Sequence, residues 1–207
     1  MAKLKMLRVI VVAFIPLLLF ATVTPTLGSV KSHTVQIEGV VSVKVNKGAT
    51  EAFRFNPGTI FVRSGDMLVF TNTFCDPRAT CAISSSGDGH TISVVSADFL
   101  KSIDSNTTIL FFCAFDPTST CGQILGAHGV SGASPTVLVD TTGQPSIFQM
   151  NGQAGNSIYI FSRLDPRGPS TIEVTVNGSP GAYHYFCAIH PWMQGKIVIT
   201  SNADSSQ

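Results

Sequence analysis

The sequence predicts an all-β fold, and three observations lead there. Charged residues make up only 12% of the 207. Valine, isoleucine, threonine, serine and glycine recur in short runs, a composition suited to pleated, half-buried surfaces. Several of those runs alternate apolar and polar residues with a period of two, which is the signature of a strand and not of a helix. The length suits one domain with ample room for a core.

The first 28 residues differ in kind. Lys3, Lys5 and Arg8 precede the apolar run 9–23, and the small residues Gly28 and Ser29 follow. This pattern is that of a secretory signal peptide, with an uncleaved N-terminal membrane anchor as the rival reading. Either one directs residues 29–202 to an extracytoplasmic place: secreted, periplasmic or at the cell surface. Removing the three cations takes the formal net charge from +1 to about −2. No basic run remains to hold nucleic acid through its phosphates, and residues 203–207 are a short polar tail.

Residues 33–45 predict a first strand, broken near Gly39. Phe53-Arg54-Phe55 and Ile60-Phe61-Val62 alternate on either side of the Asn56-Pro57-Gly58 turn, and Ser64-Gly65-Asp66 turns the chain into a strand over 67–72. A further strand is expected over 90–95, beginning at His90. From about 96 to 169 the pattern loosens, with apolar runs over 109–115, 136–139 and 157–161 separated by glycine, serine and proline. These are read as extra strands and long loops inserted into the same domain. Strands over 171–176, 183–186 and 196–200 complete the series. Alternation places Tyr183, Tyr185 and Cys187 on one face and His184 and Phe186 on the other.

Five cysteines are an odd number for an exported chain. Cys75 and Cys81 bracket one turn-prone loop with Asp76-Pro77, and Cys113 and Cys121 bracket another with Asp116-Pro117. Each pair is expected to close a local disulfide, contributing about 2–3 kcal/mol, while crossed pairings of the four remain open. Cys187 is left over. It stands in Cys187-Ala188-Ile189-His190-Pro191-Trp192-Met193, where a thiol, an imidazole and a thioether fall within seven residues. Soft sulfur donors with imidazole favour copper over magnesium, calcium or manganese. A second imidazole would complete a Cys-His-His plane with methionine as a weak axial donor, and His90 in Gly89-His90-Thr91 is the candidate. His33, His128 and His184 have no such companions and are expected at the surface.

Taken in order, Phe53-x-Phe55-x-Pro57, Ser64-Gly65-Asp66, Phe70-x-Asn72, Gly89-His90-Thr91 and Tyr183-x-Tyr185-x-Cys187-x-x-His190-Pro191-x-Met193 resemble the cupredoxins, and most of all their plastocyanin and amicyanin branch. The resemblance covers roughly residues 50–95 and 170–200. It implies a Greek-key β-sandwich carrying one type 1 copper held by His90, Cys187, His190 and Met193. It also implies a monomeric one-electron carrier, not an enzyme, that docks transiently on redox partner proteins through an apolar patch at His190, here Pro191 and Trp192. Backbone amides near Thr91 and Ala188 are expected to donate to the Cys187 sulfur and tune the metal. Two departures stand out: 96 residues lie between His90 and Cys187, and Thr91 stands where plastocyanin has asparagine. A copper-delivery protein without an electron-transfer role is the alternative function. No His-x-His pairs are present to supply the further coppers of a multicopper enzyme.

Overall fold

The computed structural model describes residues 29–45, 48–72, 89–106, 112–130, 132, 134–141, 143–163 and 165–201. The N-terminal 28 residues and the Cys75–Cys81 loop lie outside that set. Among the described residues no helix is long and apolar enough to cross a membrane.

Among the described residues twelve strands form two sheets. The strands are β1 (Ser32–Val45), β2 (Gly48–Asn56), β3 (Thr59–Arg63), β4 (Met67–Asn72), β5 (His90–Val95), β6 (Leu138–Val139), β7 (Phe148–Met150), β8 (Gln153–Gly155), β9 (Ser157–Ile160), β10 (Thr171–Val176), β11 (Gly181–Phe186) and β12 (Gln194–Thr200). One sheet runs β2-β1-β4-β10-β7-β8 and the other β3-β12-β11-β5-β9-β6. The expected all-β sandwich is therefore what the chain forms. β1 is not broken at Gly39: pairing with β2 continues through Gly39 opposite Phe53, and the irregularity is a register shift between Val40 and Val43.

Period-two alternation drives the packing. β10 buries Ile172, Val174 and Val176 while its other residues face water, and β3 and β4 alternate likewise. Val35, Phe55, Leu68 and Phe70 from the first sheet meet Ile92, Ile158, Tyr185 and Ile197 from the second in one cluster. Each large apolar side chain so buried contributes about 1.5–3 kcal/mol.

The middle of the chain corrects the expectation of strands and loops alone. Among the described residues two helices occur there, α1 (Ala97–Ser105) and α2 (Thr120–His128), and part of the apolar run 109–115 is a 3-10 turn, Cys113–Phe115. Ser96 and Ser119 cap them, their hydroxyls accepting from the amides of Phe99 and Gly122. Such caps satisfy amides that have no partner inside the helix. The predicted Cys113–Cys121 disulfide joins the 3-10 turn to α2. Both helices cover the outer face of the second sheet, where Leu100, Ile103 and Ile124 pack on Val95, Phe186 and Ala188. This third layer is why all six residues of β5 are buried. The segment 96–169 is also part of the sandwich itself, since β9 pairs with β5 and β7 with β10.

Candidate metal centre

His90 opens β5, and Cys187 follows β11 directly. The two strands are hydrogen-bonded neighbours, with Phe186 opposite Ser93, and this brings the distant ligand types to one end of the sheet. Gly89 is required before His90: a Cβ there would lie 2.1 Å from the hydroxyl of Tyr159. The loop from Cys187 to Met193 is closed on itself, because the Cys187 amide donates to the Met193 carbonyl at 3.0 Å and the Met193 amide to the His190 carbonyl at 2.8 Å. Proline at 191 restricts that loop further.

Three side chains converge. Cys187 Sγ lies 3.8 Å from His90 Nδ1 and 3.7 Å from His190 Nδ1, and the two nitrogens are 3.2 Å apart. The centre of a triangle with these sides is about 2.1 Å from each corner, matching the ~2.0–2.1 Å of a first-row metal–imidazole bond. Among the described residues this is the one cluster of three side chains placed to hold a metal ion. Its donor set suits one copper ion. Met193 is buried in the same core cluster as Cys187.

Burial sets the protonation states. His90 and Cys187 have no exposed surface. Burial, then the neighbouring His190, holds His90 well below the ordinary histidine pKa, and burial brings His190 down to about 4. Both imidazoles are thus neutral at pH 7 and offer lone pairs. Burial pushes the Cys187 thiol up, opposed chiefly by the Thr91 amide. A bound cation would displace that proton, as thiolate ligation requires.

The surroundings hold the ligands in place. The Thr91 amide donates to Cys187 Sγ at 3.3 Å. Beside Ala188, the amides of His190 and Ile189 also favour the thiolate, while the Ala188 amide itself donates to Thr91 Oγ1 at 2.7 Å. Threonine thereby ties β5 to the Cys187 loop. Phe53 packs on both imidazoles, its ring centroid 4.8 Å from that of His90 and 4.7 Å from that of His190. Phe53 belongs to the Phe53-x-Phe55-x-Pro57 motif, and the packing of the two sheets is what places it at the site.

The expected apolar patch is corrected in part. Pro191 is buried in the closed loop. Trp192 is 38% exposed and meets the His190 ring edge-on at 5.3 Å. Among the other histidines, His33 lies beside Asp66 and His184 is half-buried on β11. His128 is not at the surface: it is fully buried under the third layer, between the Thr136 carbonyl and Ser157 Oγ. Its glycine-rich neighbourhood predicts an exposed loop, whereas residue 128 is the last of α2.

No family model matches the chain, and no curated protein matches its sequence. The solved structures it matches are cupredoxins. They include a purple cupredoxin from Nitrosopumilus maritimus, at 9% identity over 81% of this chain and 98% of that one with a TM-score of 0.33. A reduced auracyanin from Roseiflexus castenholzii matches at 14% over 84% and 100%, with a TM-score of 0.38. A pseudoazurin from Methylobacterium extorquens AM1 matches at 13% over 84% and 79%, with a TM-score of 0.33.

Proposed function

We propose that this chain is a type 1 copper protein that carries single electrons between extracytoplasmic redox partners. In this reading His90, Cys187, His190 and Met193 would hold the copper, through two imidazole nitrogens, a thiolate and a thioether. The observation that supports it most is the buried triangle of Cys187 Sγ and two imidazole Nδ1 atoms, with sides of 3.8, 3.7 and 3.2 Å.

Copper, when bound, supplies a one-electron couple. The chain's own residues provide the rest. Copper(I) and copper(II) prefer different geometries, so a carrier benefits from ligands that cannot follow either preference. Two backbone bonds close the loop bearing Cys187, His190 and Met193, and strand pairing fixes His90 against it. Phe53 lies against both imidazoles and keeps water from that side. The Thr91 amide directs a hydrogen bond at the sulfur, a contact of the kind that tunes potential.

The site is closed apart from His190, which is half-buried, with Trp192 beside it. Electrons pass through that edge, and docking rests on an apolar contact that is weak and transient. A closed site of this kind fits a carrier better than a catalyst, which needs room for substrate.

The test is to add Cu(II) to the purified protein. An intense thiolate-to-copper absorption band is expected, and Cys187→Ser abolishes it. A colourless complex overturns the reading. Fast, reversible reduction of the loaded protein separates a carrier from a copper-delivery protein, for which slow or irreversible reduction is expected.

A further inference from the structure

A cavity lies under the third layer, at the opposite end of β5 from His90. β9 pairs with β5 and β6 only as far as Ser157, which stands opposite Ser93 on one side and Val139 on the other. Beyond that point the two flanking segments part, and residues of α1 and α2 close over the gap between Val95 and Asp140. The space is about 420 Å³, within the size range of small-molecule sites. Val95, Phe99 and Ile124 give it an apolar wall, and Gln123, Asp140 and Gln144 a polar one.

The walls are held in shape from within. Asn156 has no exposed surface, and its whole side chain is engaged with the loop that follows β6. Its Oδ1 accepts from the Thr141 amide at 2.9 Å and the Thr141 hydroxyl at 2.6 Å, and its Nδ2 donates to the carbonyls of Thr141 and Gln144 at 2.8 and 2.9 Å. The Asn156 carbonyl accepts from the Val94 amide at 2.8 Å, so one residue fixes both sides of the cavity. On α2, Thr120, Gln123, Ile124 and Ala127 fall at spacings of three and four and share the face that lines it.

Charge decides what fits. Asp140 is the one ionisable side chain among the described residues of the lining. Ser146 Oγ donates to Asp140 Oδ1 at 2.6 Å, which orients the carboxylate, and among the described residues no lysine, arginine or histidine pairs with it. An anion would meet repulsion there without compensation. A bare divalent cation takes several oxygen ligands at once, and here it would find one carboxylate beside an apolar wall. An ammonium group on a carbon body suits both halves. It makes charge-assisted hydrogen bonds to Asp140, and its carbon atoms leave water against Val95, Phe99 and Ile124. Gln123 Nε2 already donates to the Thr118 carbonyl at 2.8 Å, which leaves its Oε1 to accept a further N–H.

We propose that this cavity is a binding site for a small organic ammonium ion, with the ammonium group at Asp140 and the carbon body between Phe99 and Ile124. The site is separate from the metal centre and stands whether or not copper binds. Phe99 meets Phe186 edge-on at 5.3 Å, so an occupant touches a ring that packs one residue away from Cys187.

The experiment titrates the purified protein, without added metal, with phenethylammonium chloride at pH 7 and follows the backbone amides by NMR. Saturable shifts are expected at Phe99, Gln123, Ile124 and Gln144. Phenethyl alcohol and phenylacetate have a similar shape without the positive charge and should bind about tenfold more weakly or less, the factor a charge-assisted hydrogen bond supplies. Asp140→Asn keeps an acceptor for Ser146 and removes the charge, so the same loss is expected for phenethylammonium. Ala127→Leu, a change a helix tolerates, fills the space and should abolish binding. Equal affinity for the alcohol, or unchanged affinity in Asp140→Asn, overturns the proposal. So does a lack of saturable shifts up to about 10 mM, the weakest affinity a ligand of this size should show, and so do shifts confined to another face of the molecule.

Discussion

The amide of Thr91 donates to the sulfur of Cys187 across 3.3 Å, joining two positions that stand 96 residues apart in the chain. The Thr91 hydroxyl in turn accepts from Ala188 at 2.7 Å, so one residue of β5 grips the ligand loop twice. The position and ionisation of the thiol therefore depend on the pairing of β5 with β11 as much as on the loop itself. Four predictions follow from contacts of this kind.

Phe53→Ala removes the ring lying on both imidazoles and leaves a cavity, since Phe53 is only 7% exposed. A loss of about 3–5 kcal/mol is expected in denaturant unfolding of the metal-free protein. Copper affinity should fall with it, because His90 and His190 lose the ring that packs on both of them. Full stability with full affinity in this variant would mean that the ring is not a support.

Gly89→Ala places a methyl group where the Tyr159 hydroxyl lies. Either Tyr159 or the start of β5 must shift, at a cost of about 1–3 kcal/mol, and His90 moves with the strand. Weaker metal binding is the expected result. The double variant Gly89→Ala, Tyr159→Phe should recover part of the loss, and no recovery would place the fault elsewhere.

Asp66, at the turn between β3 and β4, gives a pH dependence. Burial works to raise its pKa, but the amides of Arg63 and Lys31, with the Arg63 and His33 side chains, outweigh it and bring the carboxyl to about 2. A depressed carboxyl pKa contributes stability that is fully present above the unfolded value of about 4 and is lost as pH falls through about 2. The contribution is roughly 2 kcal/mol. Denaturation midpoints measured between pH 5 and pH 2 should decline in the unaltered protein and decline less in Asp66→Asn.

Trp192→Ala tests the electron exit. The side chain meets His190 but is not among the ligands, so the copper spectrum should stay intact. Exchange with a redox partner should slow about fivefold or more if the indole anchors the docked complex. Stopped-flow measurement of that exchange decides, and an unchanged rate removes Trp192 from the docking face.

Local pattern was enough to make most strands legible, because a strand with one buried face repeats every two residues, as β3, β4 and β10 do. The donor types at positions 187, 190 and 193 were legible for a similar reason: they share one short loop, and their chemistry does not depend on a distant partner. The helices were not. α1 and α2 are nine residues each, too short for an apolar stripe to stand out, and their serine caps resemble ordinary loop residues. Nor was the burial of His128, which follows from a layer of helices folded over β5 and β9.

What the sequence determined by itself was the alternation that makes two sheets and the soft ligand set at the end of β11. Tertiary structure brought His90, already the candidate in the sequence, against that set, placed Phe53 on both imidazoles, and decided that Pro191 is inside while Trp192 is outside. The physical reason is range. Periodicity and donor chemistry act over a few residues, whereas a hydrogen bond from position 91 to position 187 exists only after two strands far apart in the chain have paired and excluded water around it.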